Sequence, residues 1–421
     1  MKPQAIPTET GPSYSALFRV PSFPALWVAQ VISQSGDGIF DVVLMWVVWK
    51  LTSSLFLVGL TQASVLAPTI LVGPMAGVFA DRMNRRDLMI LSSLFQGLIT
   101  AAMTSLYLLG WVSFSPLLIL VLLLFAGAEF YRAGNSAIVP TIVPRENLGA
   151  ANGLFSLSTQ TNQLVSYALG GVVFALVGAA AAISYDSITF FVAAGLLVMV
   201  ARRYGSPKGD GPETATASRP NFWREFRDGL SFVRHNRLFV ELSVFGLMAN
   251  FFGAGFGAVI APYVSDQIGG NSVSYGLVLS ALALGGIVGA ICVGKLNFRS
   301  YVGKLLFGGV FLFGPLSVLA ALATTVSEGI AVFFGIGVIS GAVNLPLQVL
   351  VQTQVPREML GRAATVLRAL LGMATPVAAV TFGALAGASS IVSVFFVSGV
   401  GLAAITAILY LPFKELRRAS Y

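Results

Sequence analysis

The sequence predicts an all-α membrane protein, with twelve transmembrane helices in two parallel six-helix pseudo-repeats. Three observations predict it. The composition is too apolar for a water-facing surface, basic residues crowd into alternate loops, and one polar segment recurs half a chain later. Of 421 residues, 56% are hydrophobic and 10% charged, where a soluble domain averages about 25% charged. Such a chain presents its surface to lipid. Its 45 glycines suit membrane helices packed at short range.

A helix crosses the hydrocarbon core with about 20 apolar residues. Apolar stretches place spans near 24–49, 54–80, 87–109, 115–139, 149–178, 181–201, 238–263, 273–295, 303–325, 328–351, 363–387 and 389–411. Residues 1–22 are polar, lack a signal-peptide core and read as a retained cytoplasmic tail. Arg82, Arg85 and Arg86 follow span two, and Arg145 follows span four. Arg202, Arg203, Arg224, Arg227, Arg234 and Arg237 lie between spans six and seven. Lys295 and Lys304 follow span eight, Arg357 and Arg362 follow span ten, and Lys414, Arg417 and Arg418 end the chain. The alternate loops carry almost no basic residue, Lys50 excepted. The positive-inside rule then puts both termini in the cytoplasm, and it explains the net charge of +8 without a nucleic-acid partner.

Residues 1–201 and 238–421 are expected as N- and C-terminal six-helix bundles, joined by a cytoplasmic linker at 202–237. Within the linker, Phe222 to Phe232 mixes aromatic and basic residues. It reads either as a helix lying on the inner leaflet or as a solvated connector. Trp46, Trp49 and Trp111 fall near predicted outer ends and Trp27 near an inner one, which suits an interfacial belt or ordinary packing.

The repeat is polar, which makes a chance match between apolar stretches a poor explanation. Val143-Pro-Arg-Glu-Asn-Leu-Gly-Ala-Ala151 returns as Val355-Pro-Arg-Glu-Met-Leu-Gly-Arg-Ala363, matching at seven of nine positions. From residue 143 to residue 355 the offset is 212, and each copy follows the fourth span of its half. Gly73 and Gly289 give a weaker echo at an offset of 216, with Asp81 and Asn297 each eight residues further on. Six spans per half is even, so both halves insert the same way round.

Span two ends Gly73-Pro-Met-Ala-Gly77-Val-Phe-Ala-Asp81-Arg82-Met-Asn-Arg85-Arg86. This resembles the signature loop of the major facilitator superfamily, G-x-x-x-D-R-x-x-R-R/K. Gly36-Asp37 and Gln352-x-x-Val355-Pro356-x-x-x-x-Gly361-Arg362 resemble the bacterial exporter branch, which holds macrolide-efflux and enterobactin-export proteins. The resemblance implies the major facilitator fold, alternating access, and proton-driven efflux of amphipathic drug-like or secreted molecules. It implies a cytoplasmic-membrane monomer with no cofactor beyond the proton gradient. It also implies that Asp81 meets the start of span eleven near Arg362 and Ala363, latching one conformation. A helix N-terminus attracts an anion by about 0.3–1 kcal/mol. Where antiporters carry G-P-x-x-G-G in span five, this chain reads Ser166-Tyr-Ala-Leu-Gly170-Gly171. The proline is absent, so a metabolite-importing symporter and a lysolipid flippase stay open beside export. On their own, Gly73 and Gly77 are spaced for close helix approach.

Charges inside the spans are the candidate chemistry. Gln30, Gln34, Asp37 and Asp41 are spaced 4, 3 and 4 apart and share one helix face. Asp37 lies near mid-membrane, where a carboxylate costs at least about 2.5 kcal/mol unless paired, hydrated or protonated. It suits proton coupling or substrate contact, or a structural hydrogen bond. Glu129 and Arg132 are three apart in span four. They read as a permanent pair, or as a pair whose arginine exchanges to Asp37. Gln160 and Gln163 in span five, and Asn344 and Gln348 in span ten, are expected to line the pathway or to join helices. Asp186 is expected at the outer interface.

One Cys and one His exclude disulfides and multi-histidine metal sites. Gly289 to Leu296 imitates a phosphate loop, but lacks Ser or Thr after Lys295 and lies in an apolar span. No catalytic constellation appears, so an enzyme is not expected.

Overall fold

A computed structural model describes residues 14–206, 222–295, 301–356 and 359–420. The helices in chain order are α1 (Tyr14–Leu17), α2 (Phe23–Thr52), α3 (Leu55–Leu71), α4 (Gly73–Arg82), α5 (Arg85–Leu108), α6 (Phe114–Ile142) and α7 (Leu148–Val198). After them come α8 (Phe222–His235), α9 (Arg237–Pro262), α10 (Ser272–Gly294), α11 (Val302–Leu322), α12 (Val326–Gln354), α13 (Leu360–Ala388), α14 (Ile391–Tyr410) and α15 (Lys414–Arg417).

Ten of the described helices are long and apolar enough to cross a membrane, and the pair α3 and α4, bent by 43°, makes an eleventh span. Pro74 at the start of α4 explains the bend, because its ring clashes with the preceding turn and removes a hydrogen bond. The 51 residues of α7 would run about 77 Å at 1.5 Å per residue, more than twice a hydrocarbon core. The chain turns instead at Gly178, with φ 80° and ψ 177°, a conformation that favours glycine. Splitting α7 there gives twelve spans, with the break where the sequence places it.

The repeat survives as geometry. Residues 114–142 and 326–354 form matching helices at an offset of 212, and 148–198 matches 360–410 with the second break at Ser389–Ser390.

Buried apolar side chains form three clusters. One is shared by both halves and lies away from the basic loops. It joins Ile39 to Trp49 of α2 with Phe256 and Tyr263 of the α9 segment, Tyr275 of α10, Phe382 of α13 and Phe395 of α14. At the basic end there are two separate clusters. Leu17, Phe23, Met89, Ile138 and Leu197 belong to one, and Phe239, Phe245, Leu306, Val366 and Leu416 to the other. The molecule is therefore zipped at one end and split at the other.

Two helix crossings make the zipper. A side chain on Gly59 of α3 would strike the Ala379 carbonyl of α13, and would lie 2.9 Å from the Gly383 Cα. A side chain on Gly171 of α7 would strike the Ser272 carbonyl of α10, and one on Gly276 would strike the Tyr167 carbonyl. Ser272 Oγ donates to the Gly171 carbonyl (3.1 Å), and Ser280 Oγ to that of Leu164 (2.9 Å). Gly383 stands 212 residues after Gly171, so the two crossings are one contact used twice. Trp46 and Trp49 belong to this seal rather than to an interfacial belt. They are 4% and 8% exposed, and Trp46 stacks on Tyr275 at 5.7 Å. Trp111, 69% exposed, fits the belt.

At the split end, α8 packs along α13. Its Gly229 meets the Arg362 backbone, Val233 is buried, and Asp228 accepts from Arg362 Nη1 at 3.3 Å. Gly289 to Gly294 of the phosphate-loop look-alike is helical within α10, with Gly289 pressed on the Val338 carbonyl, and Leu296 lies outside the described residues.

Candidate transport cavity

The helix face read from sequence lines a cavity of about 280 Å³ between α2, α5 and α6. Gln30, Gln34, Asp37 and Asp41 all open onto it from α2. From α6 come Tyr131, Arg132 and Asn135, and from α5 comes Gln96. The wall of α2 is held by amides. Asn135 Nδ2 donates to Gln30 Oε1 (3.1 Å), Gln34 Nε2 to Thr159 Oγ1 (3.1 Å), and Asn162 Nδ2 to the Val31 carbonyl (2.8 Å). Trp27 Nε1 adds a bond to Ser158 Oγ at 2.9 Å. These four bonds tie α2 to α6 and α7 and fix the direction of the carboxyls.

Among the described residues, neither Asp37 nor Asp41 has a hydrogen-bond or ion-pair partner. Arg132 lines the same cavity as Asp37 without contacting it. Its guanidinium is bound to Glu129, Nη2 to Oε1 at 3.0 Å, while its side chain stays 56% exposed. Glu129 is 6% exposed. It also accepts from Thr69 Oγ1 at 2.7 Å, just before the bend between α3 and α4. A side chain on Gly73 would sit 3.6 Å from Glu129 Oε2. One carboxylate thus joins the cavity arginine to the hinge of span two. Tyr131 Oη and Asn135 Oδ1 are buried without partners. The cavity offers two unpaired carboxyls, a phenol, several amides and the rings of Phe40 and Phe125.

The other site candidates lie elsewhere. Gln160, Gln163, Asn344 and Gln348 are exposed and outside this cavity, and Asn344 Nδ2 donates to the Ser340 carbonyl at 3.0 Å. In the signature loop, Asp81 and Arg82 are exposed. Asp81 does not meet Arg362 in this conformation, because α4 and α13 stand apart at the split end. Arg85 Nη1 donates to the Ala137 carbonyl at 3.3 Å. Arg86 donates to the Leu197 and Val198 carbonyls at 3.1 and 2.6 Å, so it caps the end of α7. Gly77 mediates no close approach here, since a side chain on it would meet nothing within 4 Å.

Asp186 corrects an expectation outright. It is 1% exposed and packs against Gly36, not at the outer interface. Residue 186 lies eight residues past the break at Gly178, about 12 Å along the second stretch at 1.5 Å per residue, which is deeper than an interface. Tyr131 and Asn135 were readable in principle, being four apart and flanking Arg132 on one turn. Gln96, a lone amide in span three, carried no pattern.

Residues 12–419 match the family model described as transmembrane secretion effector. The chain belongs to the major facilitator superfamily. This transporter is 24% identical over 407 residues to macrolide efflux protein A of Streptococcus pyogenes, covering 94% of this chain and 96% of that one. It is 26% identical over 411 residues to enterobactin exporter EntS of Shigella boydii, covering 94% and 93%. Its fold matches a bacterial homolog of the human lysosomal transporter Spinster, solved inward-facing and unoccupied, with TM-score 0.74, 15% identity and 98% and 99% coverage. The nucleoside transporter NupG matches with TM-score 0.75, 8% identity and 93% and 99% coverage. The transporter is an integral multi-pass membrane protein and not an enzyme.

Proposed function

We propose that this transporter is a proton-coupled exporter of amphipathic small molecules that works by alternating access. The observation that carries the reading is a mid-span cavity holding two carboxyls, Asp37 and Asp41, without partners. A carboxyl so placed is costly as a lone anion and useful as a group that trades a proton for cargo. The relatives named for macrolide and enterobactin efflux support export. The acidic lining favours cargo that is neutral or carries an amine.

The basic loops support a split end that faces the cytoplasm, with both termini there, in the cytoplasmic membrane. The conformation is then open inward. Cargo enters from the cytoplasm and Asp37 gives up its proton to the same side. The halves 1–201 and 238–421 rock about the two glycine crossings, and a proton from outside releases the cargo. Arg132 exchanges between Glu129 and Asp37 as the charge on Asp37 changes. The proton gradient is the energy source, and one copy of the chain is sufficient.

Everted membrane vesicles with acid imposed inside test this with a labelled macrolide as probe. Acid-driven uptake into the vesicles, absent in Asp37→Asn, is the expected result. Flux in the opposite sense would establish an importer, and flux blind to the gradient would remove proton coupling altogether.

A further inference from the structure

The cavity does not use the most deeply buried acid among the described residues. Asp186 lies in the second stretch of α7, eight residues past Gly178 and 1% exposed. Both of its carboxyl oxygens are buried with no hydrogen-bond partner among the described residues. Its position is specific. A side chain on Gly36 of α2 would lie 2.5 Å from Asp186 Oδ1 and would strike Thr189 Oγ1. Glycine at 36 is what lets the carboxyl reach the α2 backbone. The next residue along α2 is Asp37.

Among the described residues no salt bridge reaches Asp186, and the neighbour of Gly36 on α2 is the acid Asp37. The Tyr185 hydroxyl is engaged with Ser35 Oγ at 2.9 Å. From α5, Gly97 and Thr104 meet Ser187 and Ser184 of the same stretch, and neither they nor Thr100 and Met103 between them carry an ionisable group. Thr189 Oγ1 donates to the Asp186 backbone carbonyl at 2.7 Å, not to its carboxyl. The fold does not ask for an acid here either. The repeat-equivalent residue, 212 positions on, is Ser398, which is 0% exposed.

We propose that Asp186 is a second proton-binding site, separate from the cargo cavity, that loads and unloads in step with Asp37 past the gap left by Gly36. The step is proton transfer alone. The O–H bond on one carboxyl breaks as an O–H bond forms on the other or on water, with no change of oxidation state. With Arg132 already bound to Glu129, acids this near one another titrate as a coupled group rather than one by one. Cargo touches Asp37 and Asp41, and Asp186 holds a proton that cargo does not displace directly. This inference rests on the proton-coupled reading for its purpose, but not for its detection.

Infrared difference spectra of the purified full chain in nanodiscs, taken between about pH 5 and 9, read carboxyl protonation without cargo. The expected result is a pH-dependent carboxyl C=O band at the high-frequency end typical of an acid without hydrogen bonds. Asp186→Asn removes that band and leaves the Asp37 signal. Asp37→Asn keeps the band and moves its midpoint by about one pH unit, the mark of coupled sites. Should Asp186→Asn fold poorly, Asp186→Leu serves, since replacing an unpaired buried polar group by an apolar one is close to neutral. A band that survives both Asp186 variants, or that ignores pH, overturns the proposal. Gradient-driven macrolide flux measured on the same preparations separates the two readings. A titrating Asp186 band without gradient-driven flux upholds the site and sinks proton coupling. Gradient-driven flux without that band sinks the site alone.

Discussion

The two halves of this transporter share a geometry and differ in chemistry. At the repeat offset of 212, Glu129 of α6 corresponds to Gly341 of α12, Arg132 to Asn344, and Asp186 to Ser398. The same helices, crossings and breaks are built without any of these charges. Gly341 packs on the Gly286 carbonyl where Glu129 faces Thr69. Asn344 bonds its own turn where Arg132 bonds Glu129. The comparison teaches that the charges of the first half are not needed to fold a six-helix unit of this kind. They are costly in lipid and are kept for something the second half does not do.

The sharpest way to break the comparison is to remove a polar group from each half in turn. Asp37→Asn should lower gradient-driven transport of the probe by at least about 100-fold, some 2.7 kcal/mol in the barrier. Asn344→Ala and Ser398→Ala should each change it by less than about threefold. Initial rates in proteoliposomes, normalised to protein inserted, measure both. Equal losses in the two halves would end the assignment of chemistry to the first.

The shared geometry gives the next largest effect. Gly171→Leu puts a side chain into the Ser272 carbonyl, and Gly59→Leu puts one into that of Ala379. Overpacking of this sort costs about 1–3 kcal/mol, and only in the conformation whose outer end is zipped. Each variant should raise the population open at that end by about 10-fold or more, read by spin-label distances across the outer mouth. Because the crossings are repeat-related, the two shifts should be similar in size. A shift from one glycine and not the other would show that the seal is carried by a single crossing.

Glu129→Gln is a smaller test of the first half. It leaves the hydrogen bond from Thr69 in place and frees Arg132. Transport should fall by about 10-fold with a displaced pH profile, because the freed guanidinium turns to Asp37. An unchanged profile would make the Glu129–Arg132 pair purely structural.

Much of this was readable before any coordinates. The spans, the break at 178, the repeat and the α2 face follow from hydropathy, charge alternation and helical spacing, all of which are local. What was not readable is relative placement between helices. Asp186 looked interfacial because distance along the chain says nothing about which helix lies alongside. Trp46 and Trp49 could be read as belt or as packing residues, because a buried seal and a lipid interface ask for the same side chains. The zipped and split ends were not legible, since they arise from contacts between helices far apart in the chain.

That last point sets the smallest expected effect. In this conformation Arg362 pairs with Asp228 of the linker helix, both partners being roughly two-fifths exposed, while Asp81 stands exposed on α4. Exposed pairs contribute about 0–1 kcal/mol. Asp228→Ala should therefore change the melting temperature and the transport rate only slightly, less than about threefold in rate. Asp81→Asn touches nothing in this conformation and should leave its stability unaltered, yet it should slow turnover more than Asp228→Ala does. On the proposed cycle Asp81 acts in the opposite state, when the basic ends of α4 and α13 would close and the start of α13 would face an acid. Double-mutant analysis distinguishes a handover from two unrelated charges. If Arg362 passes from Asp228 to Asp81 during the cycle, Arg362→Gln should mask the effect of Asp81→Asn, and losses that simply multiply would show that the two never meet.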